Sequence, residues 1–327
     1  MPSALTNFDD LLVALKATGR VVGTAHMRPL TGGVSALVAV VEEGDQQWVA
    51  KVPLGQLSVS DEWLADRSRG ANEARVLELL QGRLGPARTP QLLFFDPLLV
   101  ILGEEFITGP TCNYKDELLD GRAHHEVAAS LGEAVGVLHR LDAPSALSGP
   151  GPRQLFDELR LDPYYRTAAL RRPELRDELM SLVDDAVAVA HPTLVHGDLS
   201  PKNVLITESA PAILDWEVIH VGDPAFDLGM MCAHFMLKAL HDGAKRTTHP
   251  LVEAARRFWL AYDGPADLER SIRHTGGVII ARLYGKSPVA YLVDESARRR
   301  AHVIGSMAVS GDIRSLESLL SLIEEEV

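Results

Sequence analysis

The apolar positions of the chain change period about a third of the way along. Residues 33–41 (Gly-Val-Ser-Ala-Leu-Val-Ala-Val-Val) form a β-branched, apolar run behind a Gly-Gly pair, and 47–53 repeat that texture. Between them stands the polar stretch Glu42-Glu43-Gly44-Asp45, so the pattern predicts two strands joined by a turn. Over 71–80, Ala74, Leu77 and Leu80 recur among charges at the spacing of one helix face. Residues 91–95 and 98–102, on either side of Asp96-Pro97, predict two more short strands. After Thr108-Gly109-Pro110 the texture becomes helical, over 125–141 and over 174–190, where His191-Pro192 is the stop. Two short β-like runs, 204–206 and 212–214, interrupt that block, and from Asp227 onward the chain reads as mainly helical. The simplest partition is a β-rich lobe over 1–105 and a larger helical lobe over 106–327.

Bulk properties narrow the function classes. A length of 327 residues suffices for two lobes with a substantial core. The apolar and charged fractions, 46% and 24%, are those of a globular protein rather than a disordered one. No apolar run approaches the roughly 20 residues that cross a bilayer. The opening Met-Pro-Ser-Ala-Leu-Thr-Asn-Phe lacks the flank and core of a secretory leader, so the expected place is the cytoplasm, without a membrane partner. Cys112 and Cys232 stand far apart, which argues for two reduced thiols rather than a disulfide framework or a zinc site. A formal net charge of −13 repels a phosphate backbone and argues against a nucleic-acid partner. The same charge would suit a cationic small molecule, although net charge speaks first to a soluble surface.

The densest chemistry lies in Leu194-Val-His-Gly-Asp-Leu-Ser-Pro-Lys-Asn-Val-Leu-Ile206, followed by Ala212-Ile-Leu-Asp-Trp-Glu217. A polar loop between apolar runs brings Asp198, Asn203 and Asp215 together on one hairpin. A carboxylate and an amide oxygen so placed can hold a hard cation. A further carboxylate can orient or receive the proton of an attacking hydroxyl. Taken singly, Asp198 and Asn203 could also be turn formers and Asp215 an ordinary strand-end acid.

As an ordered set these residues resemble a known family. His196-Gly-Asp198, four residues and then Asn203 has the spacing of the kinase catalytic loop. The Gly after His, Asp-Trp-Glu in place of Asp-Phe-Gly, and Gly222-Asp-Pro-Ala-Phe-Asp-Leu-Gly229 resemble the aminoglycoside phosphotransferase and choline kinase superfamily. The resemblance implies an α+β, bilobal protein-kinase-like fold, with an antiparallel sheet in the N-lobe and helices in the C-lobe. It further implies Asp198 as catalytic base, Asn203 and Asp215 as Mg²⁺ ligands, and ATP or GTP as phosphoryl donor to a small-molecule hydroxyl. His196 is expected to be structural, with Asp223 and Asp227 bracing the loop and a substrate contact as the alternative for Asp223.

Upstream residues should then form the nucleotide site. Thr31-Gly-Gly-Val-Ser35 resembles the short Gly-Gly-x-Ser loop of small-molecule kinases. Backbone N–H groups of Gly32, Gly33 and Ser35 could approach phosphates there, though such a segment alone is more often a plain hairpin turn. Lys51 sits in an apolar strand, where an unpaired ammonium is costly, so it needs partners. Glu73 on the following helix is the expected one, in keeping with the family's Lys–Glu pair, with Glu62 the alternative. Backbone groups over 104–106, from Glu104 to Phe106, are expected at the adenine edge. Lys202, just before Asn203, is expected to offset charge on the transferring phosphoryl group or else to be an exposed loop lysine.

Rival readings have marks of their own. A pseudokinase scaffold would lack the base, the metal ligands or the strand lysine, and all are present. A protein kinase would carry Ala-Pro-Glu after Asp215, which is missing. Gly285-Lys-Ser287 lacks the upstream glycine of a P-loop, since position 280 is Ile; Ser287-Pro288 instead predicts a helix start. Asp116, Glu117, Asp120, Asp157 and Glu158 lie where the acceptor should sit and would allow a cationic one.

Overall fold

The computed structural model describes residues 5–30, 35–57, 63–242 and 250–324. Helix α1 (Phe8–Ala17) opens at Asn7, whose side chain accepts the Asp10 N–H at 2.8 Å, and it buries Leu11 and Leu15. Strands β1 (Ala25–Pro29), β2 (Ala36–Glu43) and β3 (Gln46–Pro53) follow. Glu43 pairs with Gln46, so the turn is only Gly44-Asp45 and both glutamates belong to the strand. Gly44 has φ +60°, the left-handed conformation that a two-residue hairpin needs at its first position.

Helix α2 (Arg69–Leu80) then crosses to β4 (Leu92–Asp96) and β5 (Ile101–Glu105). The last strand starts three residues later than its apolar pattern predicts. The Asp96 carboxylate accepts the N–H groups of Leu98 and Leu99 at 2.9 and 3.0 Å, and Val100 has φ +56°, so the turn consumes residues 97–100. The five strands form one antiparallel sheet in the order β1-β2-β3-β5-β4. α1 packs on it through a small core that includes Leu11, Leu15, Trp48, Val52 and Ile101. α2 belongs instead to the main core, with Leu77 and Leu80 joining side chains of the helices beyond.

The rest is mainly helical. A short strand β6 (Cys112–Asn113) leads into α3 (Tyr114–Leu119) and α4 (His125–Arg140), then α5 (Pro150–Phe156). The backbone next widens into a π-type helix, Asp157–Arg166, before α6 (Thr167–Arg171) and α7 (Arg176–Val187). Strands β7 (Thr193–Val195), β8 (Val204–Ile206), β9 (Ala212–Ile213) and β10 (His220–Gly222) frame the polar loop. The chain finishes through α8 (Ala225–Asp242), α9 (Pro250–Ala261), α10 (Leu268–Tyr284), α11 (Glu295–Val309) and α12 (Leu316–Glu324).

Ser287-Pro288 does not start a helix, contrary to its sequence pattern. Ser287 is tied back to the end of α10, its hydroxyl accepting from Arg282 at 2.9 Å, and the next helix waits for Asp294, whose carboxylate caps Ala297 N–H at 2.7 Å. Among the described residues no helix is long and apolar enough to cross a membrane. Cys112 and Cys232 are both free.

Candidate active site

The polar loop between β7 and β8 is built around one buried carboxylate. Asp227, at the start of α8, accepts the backbone N–H groups of His196 at 2.7 Å and Gly197 at 3.0 Å, and faces His139 Nε2 at 3.2 Å. Burial would raise its pKa, but the bond to His139 and these contacts outweigh it and hold the group below the ordinary aspartate range. His196 Nε2 donates to the Leu214 carbonyl at 3.1 Å, and its Nδ1 accepts the Asp198 N–H at 3.1 Å. Both ring nitrogens are therefore consumed in shaping the loop. Gly197 takes φ +76°, and a Cβ there would stand 2.8 Å from the Val218 carbonyl oxygen. Asp223 accepts from Ala225 N–H and from Arg270, so it braces the same region.

Above the loop the reactive side chains converge. Asn203 Nδ2 donates to both the carbonyl and Oδ2 of Asp198, each at 2.9 Å. Asp198 Oδ2 also meets Arg160 Nη2 at 2.7 Å and Lys202 Nζ at 2.8 Å. Burial would raise Asp198, yet Arg160 and Lys202 prevail and hold it ionised, below the usual range. Three donors thus share Oδ2, and among the described residues none is directed at Oδ1.

Asp215 holds φ +65°, a strained conformation for a non-glycine residue of the kind that clusters at functional sites. Its Oδ1 pairs with Lys51, and its Oδ2 stands 4.0 Å from Lys202 Nζ. Lys51 meets Glu73 Oε1 and Oε2 at 2.9 and 2.8 Å. Burial alone would depress the Lys51 ammonium, but Asp215 and Glu73 keep its pKa well above the ordinary value. The expected lysine–glutamate pair is therefore present, and Glu62, the alternative, lies outside the described residues.

Two contacts fasten α2 to this hairpin. Glu73 accepts the Trp216 N–H at 3.1 Å, and Arg69 Nε donates to Glu217 at 3.0 Å. Arg69, fully buried, also donates to the carbonyls of Ser35 and Leu54, each at 2.6 Å, joining the strand ends to the loop after Asp215.

These groups face a cleft of about 530 Å³, which Ser35, Lys51, Glu104, Asp198, Lys202, Asn203 and Asp215 all line. Phe106 follows β5 and is not among its lining residues. Gly32 and Gly33 lie outside the described residues. The Glu104 carboxyl itself reaches the cleft, where burial raises its pKa to about 7 against the pull of Lys51. Of the five acids weighed as an acceptor site, only Asp116 lines the cleft. Glu117 and Asp120 are bound to Arg122, Asp157 to Arg166, and Glu158 to Gln154.

The donor chemistry fits a hard cation. Asn203 spends its N–H groups on Asp198, which leaves its Oδ1 as an oxygen ligand beside the ionised Asp215 carboxylate. Glu73 and Glu217 also approach Asp215, but they are already held by Lys51 and Arg69. Arg160 was not foreseeable from any motif: it comes from the widened helix, donates through Nε to the Gly197 carbonyl at 2.9 Å, and reaches Asp198 with the same guanidinium.

The sequence matches the model of the "Phosphotransferase enzyme family" over residues 26–266. It is 24% identical to methylthioribose kinase of Escherichia coli over 230 residues, 62% of this chain and 55% of that protein, so it matches about half that relative's length. A solved macrolide 2′-phosphotransferase of Brachybacterium faecium superposes with a TM-score of 0.52 at 21% identity, covering 92% of this chain and 98% of the other. A choline kinase of Streptococcus pneumoniae gives a TM-score of 0.58 at 15% identity, covering 92% and 100%. At these identities the structural likeness is one of fold.

Proposed function

Because the chain belongs to the phosphotransferase enzyme family, with its bilobal protein-kinase-like fold, we propose that it transfers the γ-phosphate of Mg-bound ATP, or GTP, to a hydroxyl of a small molecule. The observation that carries this reading is the convergence of Lys51, Asp198, Asn203 and Asp215 on one cleft. Lobe 1–105 holds the nucleotide, with Lys51 on its phosphates and Ser35 beside the glycine pair Gly32-Gly33. Backbone groups near Glu104 meet the base edge. Lobe 106–327 supplies the catalytic loop and the acceptor pocket. The supply of nucleotide makes the cytoplasm the natural place for the reaction.

Asp198 faces the acceptor hydroxyl through Oδ1. Held ionised by Arg160 and Lys202, it is a weak base. Its work is to orient the hydroxyl and take the proton late, as the oxygen–phosphorus bond forms. A loose phosphoryl transition state asks little more of a base. Lys202, about half-exposed between Asp198 and Asp215, offsets charge on the moving phosphoryl group. Mg²⁺ on Asn203 Oδ1 and the Asp215 carboxylate would neutralise the phosphate oxygens. Catalysis is then alignment and charge stabilisation.

The test is nucleotide consumption on adding a panel of small hydroxyl compounds with and without Mg²⁺. Asp198→Asn is expected to lower kcat by about 10³-fold and to leave the nucleotide Kd within about twofold. Wild-type turnover in that variant refutes the role of Asp198. Tight nucleotide binding with no turnover of any compound would favour a scaffold.

A further inference from the structure

The cleft continues past Asp198 to a wall formed by α3, α8, α10 and the segment after it. There Lys115, His234, Lys238, Arg282 and Tyr291 line the cleft. Lys238 is only 1% exposed, yet among the described residues no carboxylate pairs with it. Its Nζ has His234 Nδ1 and the His234 carbonyl at 3.5 Å each, and the Tyr291 ring centroid at 5.3 Å.

The neighbouring groups add positive charge. Arg282 donates through Nη1 to Ser287, but among the described residues its buried Nε has no partner, nor has the Tyr291 hydroxyl. His234 is kept neutral by burial and by the charges of Lys238 and Arg282, so it offers no compensation. At this end three basic side chains, Lys115, Lys238 and Arg282, oppose one exposed carboxylate, Asp116. Burial, then Arg282 and Lys115, push the Lys238 pKa down to about 7 against the pull of Asp116. An ammonium buried without a counter-charge is costly, so it either sheds its proton or meets a ligand that brings the missing charge. A cationic acceptor here would meet like charges.

We infer that the acceptor is a small hydroxyl compound that also carries an anion, a phosphate or a carboxylate, which docks between Lys238 and Arg282 while its hydroxyl turns towards Asp198. This rests on the phosphotransferase reading and specifies its substrate class. The anion satisfies the donors that the fold leaves open, Lys238 Nζ and Arg282 Nε, and the Tyr291 hydroxyl can add a third bond. The charge that selects the acceptor thus sits on the side of the pocket remote from the phosphoryl donor.

The experiment loads the full chain with Mg-ADP and measures thermal stabilisation and Kd for matched probes. Ribose 5-phosphate against ribose tests phosphate, glycerate against glycerol tests carboxylate, and choline tests the opposite charge. Stabilisation by at least one anionic probe over its neutral match, with Kd raised about tenfold or more in both Lys238→Met and Arg282→Met, is the expected result. Stabilisation by choline or by the neutral probes alone overturns the inference, as does an anion effect that survives both substitutions, or no stabilisation in any arm. Turnover is read separately with Mg-ATP. Anions that bind through Lys238 and Arg282 while no probe is ever phosphorylated would sustain the anion site and count against the phosphotransferase reading.

Discussion

Each end of the cleft buries a lysine, and the two are treated in opposite ways. Lys51 is 5% exposed and lies between Glu73 and Asp215, which hold its pKa above the ordinary value. Lys238 is 1% exposed, meets a neutral histidine and a tyrosine ring, and has its pKa pushed down to about 7 by burial and by Arg282 and Lys115. At the Lys51 end the protein supplies the counter-charges, so the lysine is positioned before any ligand arrives. At the far end, among the described residues, the exposed Asp116 carboxylate alone stands against Lys115, Lys238 and Arg282, and the rest of the counter-charge is left to the ligand. A buried lysine is therefore uninformative until its partners are known; what compensates it says where a ligand must.

The contrast can be broken by removing each lysine in turn. Lys51→Met strands Glu73 as an uncompensated buried acid, and denaturant titration should show a loss of about 3–5 kcal/mol together with weakened nucleotide binding. Asp227→Asn sharpens the comparison differently, because the loop it holds serves both ends. Weakening its two bonds to loop N–H groups should cost about 2–3 kcal/mol and lower kcat without favouring one ligand over the other. Lys238→Met should act with the opposite sign to Lys51→Met and raise stability by about 1–3 kcal/mol at pH 6 to 7. The pH dependence follows from the shift. The folded pKa of Lys238, about 7, lies below its ordinary 10.5, so the unfolded chain holds more protons between those values. Wild-type stability relative to Lys238→Met therefore rises with pH across that window, and the gap narrows towards its alkaline end. A gap that stays constant with pH contradicts an unpaired ammonium at this position.

Much of this was legible in the sequence where local pattern and chemistry coincide. The strands around Gly44, the helix carrying Glu73 and the loop from His196 to Asn203 each combine a period with a polar requirement, and the structure brings Lys51, Glu73, Asp198, Asn203 and Asp215 together. The pairing of Lys51 followed from cost: an ammonium in an apolar strand has to be met. What escaped depends on long-range geometry. Arg160 reaches Asp198 because the helix widens over Asp157–Arg166, and no spacing rule announces that. Arg69 looks like an ordinary first-turn charge, yet it gathers two strand-end carbonyls and Glu217. Lys238 carries the same mark as Lys51, the one lysine in the apolar α8, but its neighbours Arg282 and Tyr291 come from far along the chain, and their convergence appears only on folding. The acids thought to favour a cationic acceptor are mostly spent on nearby arginines, a fate their clustering conceals.

The proposed chemistry requires a cation and a triphosphate held over the hairpin that carries residues 203 and 215. Crystals grown with a non-hydrolysable ATP analogue and Mn²⁺ in place of Mg²⁺ test it directly, because manganese is located by its anomalous scattering. A peak bonded to Asn203 Oδ1 and the Asp215 carboxylate, with the terminal phosphate turned towards Asp198, is the predicted result. Manganese bound elsewhere, or a nucleotide seated away from Lys51 and Asp215, contradicts it.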